Sequence, residues 1–190
     1  MDVEMNQQQQ ELVTIKTGQE GRFRWVSVTA LLLAIGVILK LVTPAVAGIT
    51  PNWLIAMYCI AINLTKVGYR QAVGIGLVTG AISIPISKAA LPYANFASEP
   101  VGAVVCAMLV HTSLSMKLGG INLRPAVTAG ISTVASGVTF ITILKAVLSL
   151  PTAVYLYGML PVVLTVAGIN MVITQLLYFP AKRLFGGKED

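Results

Sequence analysis

The sequence predicts an all-α membrane protein with six transmembrane helices and both termini in the cytoplasm. The first observation is composition: the chain is 56% hydrophobic and only 11% charged, whereas soluble domains carry about 25% charged residues. The second is a mean hydropathy of +0.82, which leaves too little polar surface to cover a soluble protein of this size. The third is the division of the chain into apolar runs whose links carry the basic residues, as expected for membrane helices.

Each predicted helix is an apolar run that approaches the roughly 20 residues needed to cross about 30 Å of hydrocarbon. The runs cover residues 24–47, 52–65, 70–87, 99–117, 122–148 and 152–182. The second run is short for a complete crossing. Pro85 should end or bend the third helix, and Pro161 should kink the sixth or free one of its carbonyls. Residues 22–185 are therefore predicted to form a six-helix membrane domain.

The chain ends are predicted to be cytoplasmic tails. Residues 1–21 are polar, with four consecutive glutamines, and they cannot bury enough apolar surface to fold alone, so we expect a flexible tail. Residues 186–190 form a second tail. A signal-peptidase site at Ala45-Val46-Ala47 is a competing interpretation, but the apolar stretch before it is longer than usual for a signal peptide.

Orientation follows from the basic residues. Ten of the 13 lysines and arginines lie in the tails and in the links after the second and fourth helices. The remaining three are Lys40, Lys88 and Lys145. Because basic loops stay in the cytoplasm, both termini are predicted to lie on the cytoplasmic side of the membrane. The expected membrane is a bacterial or archaeal plasma membrane. The net charge of +6 therefore reflects topology and does not indicate a nucleic-acid partner.

The sequence offers no chemistry for an enzyme, a metal or a cofactor. Cys59 and Cys106 each lie inside an apolar run and are expected to be buried free thiols, and one histidine cannot complete a metal site. Walker A, HExxH and GxSxG patterns are lacking. The glycines of the "GIGLVTG" stretch (74–80) lie in an apolar helix and favour close helix packing over phosphate binding.

Polar and aromatic residues collect in the loops predicted to lie outside. Glu99 is the one acidic residue between Glu20 and Glu189, and a carboxylate there can hold an amine, an amide or a ring N–H. The stretch "LPYANFASEP" (91–100) is predicted to form part of a ligand lid, with Tyr93 and Phe96 covering an apolar ring. The predicted substrate-binding residues are Asn52, Trp53, Lys88, Tyr93, Asn95, Phe96, Glu99 and Asn170.

Several of these residues also have a purely structural interpretation. Glu99 can cap the fourth helix, with Pro100 at the first helical position. Lys40 and Lys145 can extend to the lipid headgroups, and Trp53 can anchor at the interface. A buried His111 can bond a neighbouring helix or relay protons.

Three stretches together resemble a known family. They are Ala30-Leu31-Leu32-Leu33-Ala34 in the first helix, Gly48-Ile49-Thr50-Pro51-Asn52 after it, and Pro92 to Asn95 before the fourth helix. Over about residues 24–183 the chain resembles the substrate-binding S components of energy-coupling factor (ECF) transporters. Within them it is most similar to the tryptophan transporter branch.

The resemblance implies a substrate-binding membrane subunit without a cofactor. Such a subunit captures a small molecule from outside, here an aromatic amino acid such as tryptophan, or a vitamin. Its partners are membrane lipid, a scaffold transmembrane subunit and two ATPase subunits, and the face with Ala30 and Ala34 would dock on the scaffold. The alternative is a stand-alone secondary transporter, which would need an ion-coupling site built from Glu99 and His111. A membrane enzyme would need a catalytic pair, and an assembly subunit would not need the outer polar cluster.

Overall fold

A computed structural model describes residues 23–45, 49–112, 117–118 and 121–185. These residues form a bundle of six helices: α1 (Phe23–Val42), α2 (Trp53–Thr65), α3 (Tyr69–Ile86), α4 (Asn95–His111), α5 (Arg124–Val147) and α6 (Leu160–Phe185). The predicted all-α class is therefore confirmed. The small addition is an antiparallel pair of two-residue strands, β1 (Lys117–Leu118) and β2 (Ile121–Asn122), between α4 and α5. The predicted tails lie outside the described residues.

Four spans in the described residues are long and apolar enough to cross a membrane: Phe23–Val42, Pro92–His111, Arg124–Val147 and Val154–Phe185. The predicted count of six crossings stays a prediction. Helix α2 has only 13 residues, which corresponds to about 20 Å. It is nevertheless the centre of the bundle, since every residue from Leu54 to Asn63 is buried.

Close packing between α3 and α4 depends on glycine. A Cβ added at Gly76 would lie 2.3 Å from Pro100 Cα and 2.9 Å from the Glu99 carbonyl oxygen. A Cβ at Gly80 would lie 2.8 Å from the Asn95 carbonyl oxygen. These distances are shorter than real Cβ contacts, so the two backbones can touch only because both positions lack side chains. The packing role predicted for this glycine stretch is confirmed at Gly76 and Gly80.

The boundaries of α4 differ from the prediction. A 3-10 turn over Pro92–Ala94 precedes the helix, which begins at Asn95 and not near Glu99. The Asn95 side-chain amide donates to the Pro92 carbonyl (2.8 Å) and fixes this entry. At the other end α4 stops at His111 and not near Lys117. The Arg124 guanidinium donates there to the carbonyls of Val110 and Thr112. These carbonyls at the end of the helix, which have no partner within it, are thereby hydrogen-bonded.

The two proline predictions concern α3 and α6. Helix α3 ends at Ile86, one residue after Pro85, as predicted. Before α6, residues Val154–Met159 are π-helical, and the Leu160 N–H bonds the Tyr155 carbonyl, five residues back. This stretch ends two residues before Pro161, which has no N–H to donate. The kink or freed carbonyl at Pro161 stays a prediction.

His111 lies at the end of α4 and is exposed, so the prediction that it is buried deep in the helix is wrong. Its Nε2 is 3.0 Å from the Val67 carbonyl oxygen, and its ring packs edge-on against Tyr69. The predicted hydrogen bond of His111 exists, but its partner lies in the link between α2 and α3 and not in a neighbouring helix. Cys59 and Cys106 are buried free thiols, as predicted.

Candidate functional site

A cavity of about 520 Å³ lies at one end of the bundle. It is formed where α1, α3 and α5 end and where α2, α4 and α6 begin, together with the loops that follow α1 and α3. The basic-residue count predicts this end to be extracytoplasmic. The volume falls in the range of about 300–1,000 Å³ that small-molecule sites occupy.

Glu99 lines the cavity but is only 1% exposed. It is the fifth residue of α4, so its carboxylate does not cap the helix and Pro100 is not the first helical residue. The capping interpretation is wrong because the chain enters the helix one turn earlier. One carboxylate oxygen, Oε1, accepts a hydrogen bond from Asn52 Nδ2 (3.4 Å). The other oxygen, Oε2, has no partner among the described residues.

Asn52 connects the polar groups of the site. Its Oδ1 accepts from the Ile55 N–H (3.4 Å) and caps α2, while its Nδ2 donates to Glu99. Its backbone carbonyl accepts from Asn170 Nδ2 (3.2 Å), which also donates to Thr133 Oγ1 (3.0 Å). Asn170 is fully buried behind the cavity. It therefore fixes two residues that line the cavity, Asn52 and Thr133, from α6.

Unpartnered polar atoms lie behind Glu99 as well. Tyr58 is fully buried in α2, and its hydroxyl lies near Glu99 without meeting hydrogen-bond geometry. Gly102 makes room for this hydroxyl, since a Cβ there would lie 2.3 Å from the Tyr58 oxygen. Ser132 Oγ and Asn170 Oδ1 are likewise buried without a partner in the described part of the chain. Buried groups of this kind are usually satisfied by water or by a ligand.

Much of the cavity lining is apolar. Helix α5 and the start of α6 provide most of the large apolar side chains, α2 and α3 add one isoleucine each, and the segments before α2 and α6 add Ile49 and Met159. The larger apolar lining residues are Ile49, Ile55, Ile86, Phe140, Ile141, Met159, Val162, Val163 and Val166. A cavity with few polar groups and a largely apolar lining fits an aromatic ligand with a polar end.

Two of the three outer lysines line the cavity. Lys88 is exposed on the loop after α3, whereas Lys40 is partly buried near the end of α1. Lys40 and Glu99 carry opposite charges and line the same cavity. Lys145 does not line the cavity: its Nζ donates to Thr152 Oγ1 (3.1 Å) and lies 5.2 Å from the centre of the Tyr155 ring. The sequence indicated that Lys40 extends to the lipid headgroups, whereas the structure places it in the cavity wall.

The structure brings together part of the predicted substrate-binding set. Asn52, Lys88, Asn95 and Glu99 line the cavity, and Asn170 lies directly behind it. The aromatic members lie elsewhere: Tyr93 is 70% exposed, Phe96 is 48% exposed, and Trp53 packs against an apolar cluster between α1, α2 and α6. The ligand roles of all these residues stay predictions.

Several lining residues escaped the sequence interpretation, namely Lys40, Ser98, Thr133, Ser136 and Phe140. In α5 the sequence does contain a pattern that predicts the bundle-facing side of the helix. Thr128, Ser132, Thr133 and Ser136 recur at helical spacing in an otherwise apolar run, and all four are buried. Small hydroxyl side chains on one helix face mark a side that faces the bundle, because hydroxyls are poorly accommodated by lipid.

No group of three or more histidine, cysteine, aspartate or glutamate side chains that could hold a metal ion occurs among residues 23–45, 49–112, 117–118 and 121–185. The cavity is lined by hydrogen-bonding groups, by the charged side chains of Lys40, Lys88 and Glu99, and by apolar residues.

Comparison with known proteins identifies the family. The model of the tryptophan transporter family TrpP matches residues 22–185. No curated protein and no solved structure matches the chain. TrpP is an S-component-type family of ECF transporters, so the resemblance noted from the sequence is confirmed, and a small-molecule substrate and membrane association follow. The match covers most of the chain, and the protein therefore belongs to the TrpP family of tryptophan transporters.

Proposed function

We propose that this chain is the substrate-binding membrane subunit of an ATP-driven ECF-type importer, and that it captures tryptophan from outside. The observation that carries the proposal is the cavity, which combines one buried carboxylate with a broad apolar wall at the predicted outer end. Phe140 and the α6 valines suit an indole ring, and Glu99 suits an ammonium group.

The structure also supports a separate docking face. Ala30 and Ala34 are exposed on α1, beside the exposed apolar residues Leu31 and Ile38. The opposite face of α1 packs into the bundle through residues such as Leu32 and Leu33. Small side chains on an uncovered apolar face allow another helix to approach closely. We assign this face to the scaffold subunit, which would work with two ATPase subunits.

The test combines binding and co-purification. The purified chain should bind L-tryptophan, and the tagged chain should co-purify with ATPase subunits from cells. Ala30→Trp should abolish the co-purification and preserve tryptophan binding. Ala81→Trp, at an exposed position on α3, is the matched control and should preserve both.

Two results would contradict the proposal. A chain that binds no tryptophan would refute the substrate assignment. Tryptophan uptake that continues in cells lacking every ECF-type ATPase would refute energy coupling by ATP and would favour the stand-alone transporter.

A further inference from the structure

We infer that Lys40 and Glu99 act as two charge poles that bind the α-carboxylate and the α-ammonium group of the amino acid. The inference rests on the proposed function, because it assigns the two ends of that ligand within the same cavity. It adds a residue, Lys40, and a basis for selectivity: the site requires both charges of a zwitterion.

Glu99 is prepared to accept an ammonium group. Its Oε1 accepts a long hydrogen bond from Asn52 (3.4 Å), and its Oε2 is buried without a partner that meets hydrogen-bond geometry among the described residues, although the Tyr58 hydroxyl lies nearby. A buried carboxylate is costly unless it is paired with a cation or fully hydrogen-bonded. An ammonium group has three N–H donors, so it can satisfy Oε2 and still reach a second acceptor. The bound ligand would then complete an incomplete polar site.

Lys40 is the better candidate for the carboxylate pole. Both Lys40 and Lys88 line the cavity, but only Lys40 is partly buried, whereas Lys88 is exposed. Lys40 and Glu99 line the same cavity with opposite charges, and the two groups form no ion pair within 4.0 Å in the described structure. The lysine therefore shares the cavity with the carboxylate without neutralising it directly. A zwitterion placed between them would present one opposite charge to each.

Charge matching favours an amino acid over its relatives. One lysine and one glutamate around a zwitterion leave the buried site without net charge. A ligand that lacks either charged group leaves one pole unpaired in a largely apolar surrounding, which is strongly unfavourable. The site should therefore discriminate against tryptophanamide, which lacks the carboxylate, and against indole-3-propionate, which lacks the amine.

The experiment measures competition by both analogues against radiolabelled L-tryptophan bound to the purified full-length chain. The wild-type chain should prefer tryptophan to each analogue by about 10- to 100-fold, as expected for one charge-assisted hydrogen bond. Lys40→Gln should remove the preference over tryptophanamide and keep the preference over indole-3-propionate. Glu99→Gln should show the reverse. Lys145→Gln, a lysine whose partner lies outside the cavity, is the control and should keep both preferences.

The outcomes separate the inference from the proposed function. If the wild-type chain binds no tryptophan, the proposed function fails first. If it binds tryptophan but shows neither preference, only the inference is overturned. The inference is also overturned if Lys40→Gln reduces both preferences equally, or if Lys88→Gln removes the preference over the amide while Lys40→Gln keeps it. The preference that each variant should keep shows that it is folded.

Discussion

The packing of α3 against α4 should control both stability and ligand binding, and Gly76→Ala tests this. The new Cβ would lie 2.3 Å from Pro100 Cα, 2.6 Å from Pro100 N and 2.9 Å from the Glu99 carbonyl oxygen. All three neighbours are backbone atoms, so no side-chain rotation relieves the overlap and the helices must separate. Overpacking of this kind costs about 1–3 kcal/mol. Because the displaced segment carries Glu99, the affinity for tryptophan should fall as well.

Gly74→Ala is the matched control for this prediction. Gly74 lies on the same helix, and a Cβ there would have no neighbour within 4 Å. Both substitutions gain the same helix propensity, about 1 kcal/mol for alanine over glycine. The difference between the two variants therefore isolates the helix–helix contact. We expect the Gly76 variant to be less stable than the Gly74 variant by about 1–3 kcal/mol in thermal or denaturant unfolding in detergent. Equal stability and equal tryptophan affinity of the two variants would refute the packing argument.

Three further predictions concern the site and the topology. Glu99→Gln should weaken tryptophan binding by about 10- to 100-fold, whereas Lys145→Gln, whose partner lies outside the cavity, should change it little; equal effects in equilibrium dialysis would remove Glu99 from the site. In intact cells, a membrane-impermeant thiol reagent should label Lys88→Cys but not Arg70→Cys, and the opposite pattern would invert the predicted orientation. The two native cysteines are fully buried, so the unmodified chain should react with the reagent only after denaturation; fast labelling of the folded chain would contradict the packing of α2 against α4.

The helices could be predicted well because their apolar runs are long. The boundaries of α2, α3 and α5 lie within a few residues of the expected ones, since prolines, glycines and basic residues mark their ends. The start of α4 was missed because the Pro92–Ala94 turn and the Asn95 side chain allow the helix to begin earlier. That difference of four residues moved Glu99 from an expected helix cap to the interior of the bundle.

The candidate site was predicted less completely, because composition cannot show which face of an apolar helix meets the bundle. Glu99 and Asn52 stand out in an apolar chain, and the structure indeed places them together. Tyr93 and Phe96 are equally conspicuous, yet both are exposed away from the cavity. Lys40 was assigned to the headgroups because a lysine near a helix end has two possible environments, and only the packed bundle distinguishes them.

The most direct test of the account is a structure of the purified chain determined with bound L-tryptophan. We predict density for the amino acid in the cavity, with the ammonium group beside Glu99 and the indole ring against Phe140 and the valines of α6. Tryptophan bound elsewhere, with this cavity empty, would contradict the account.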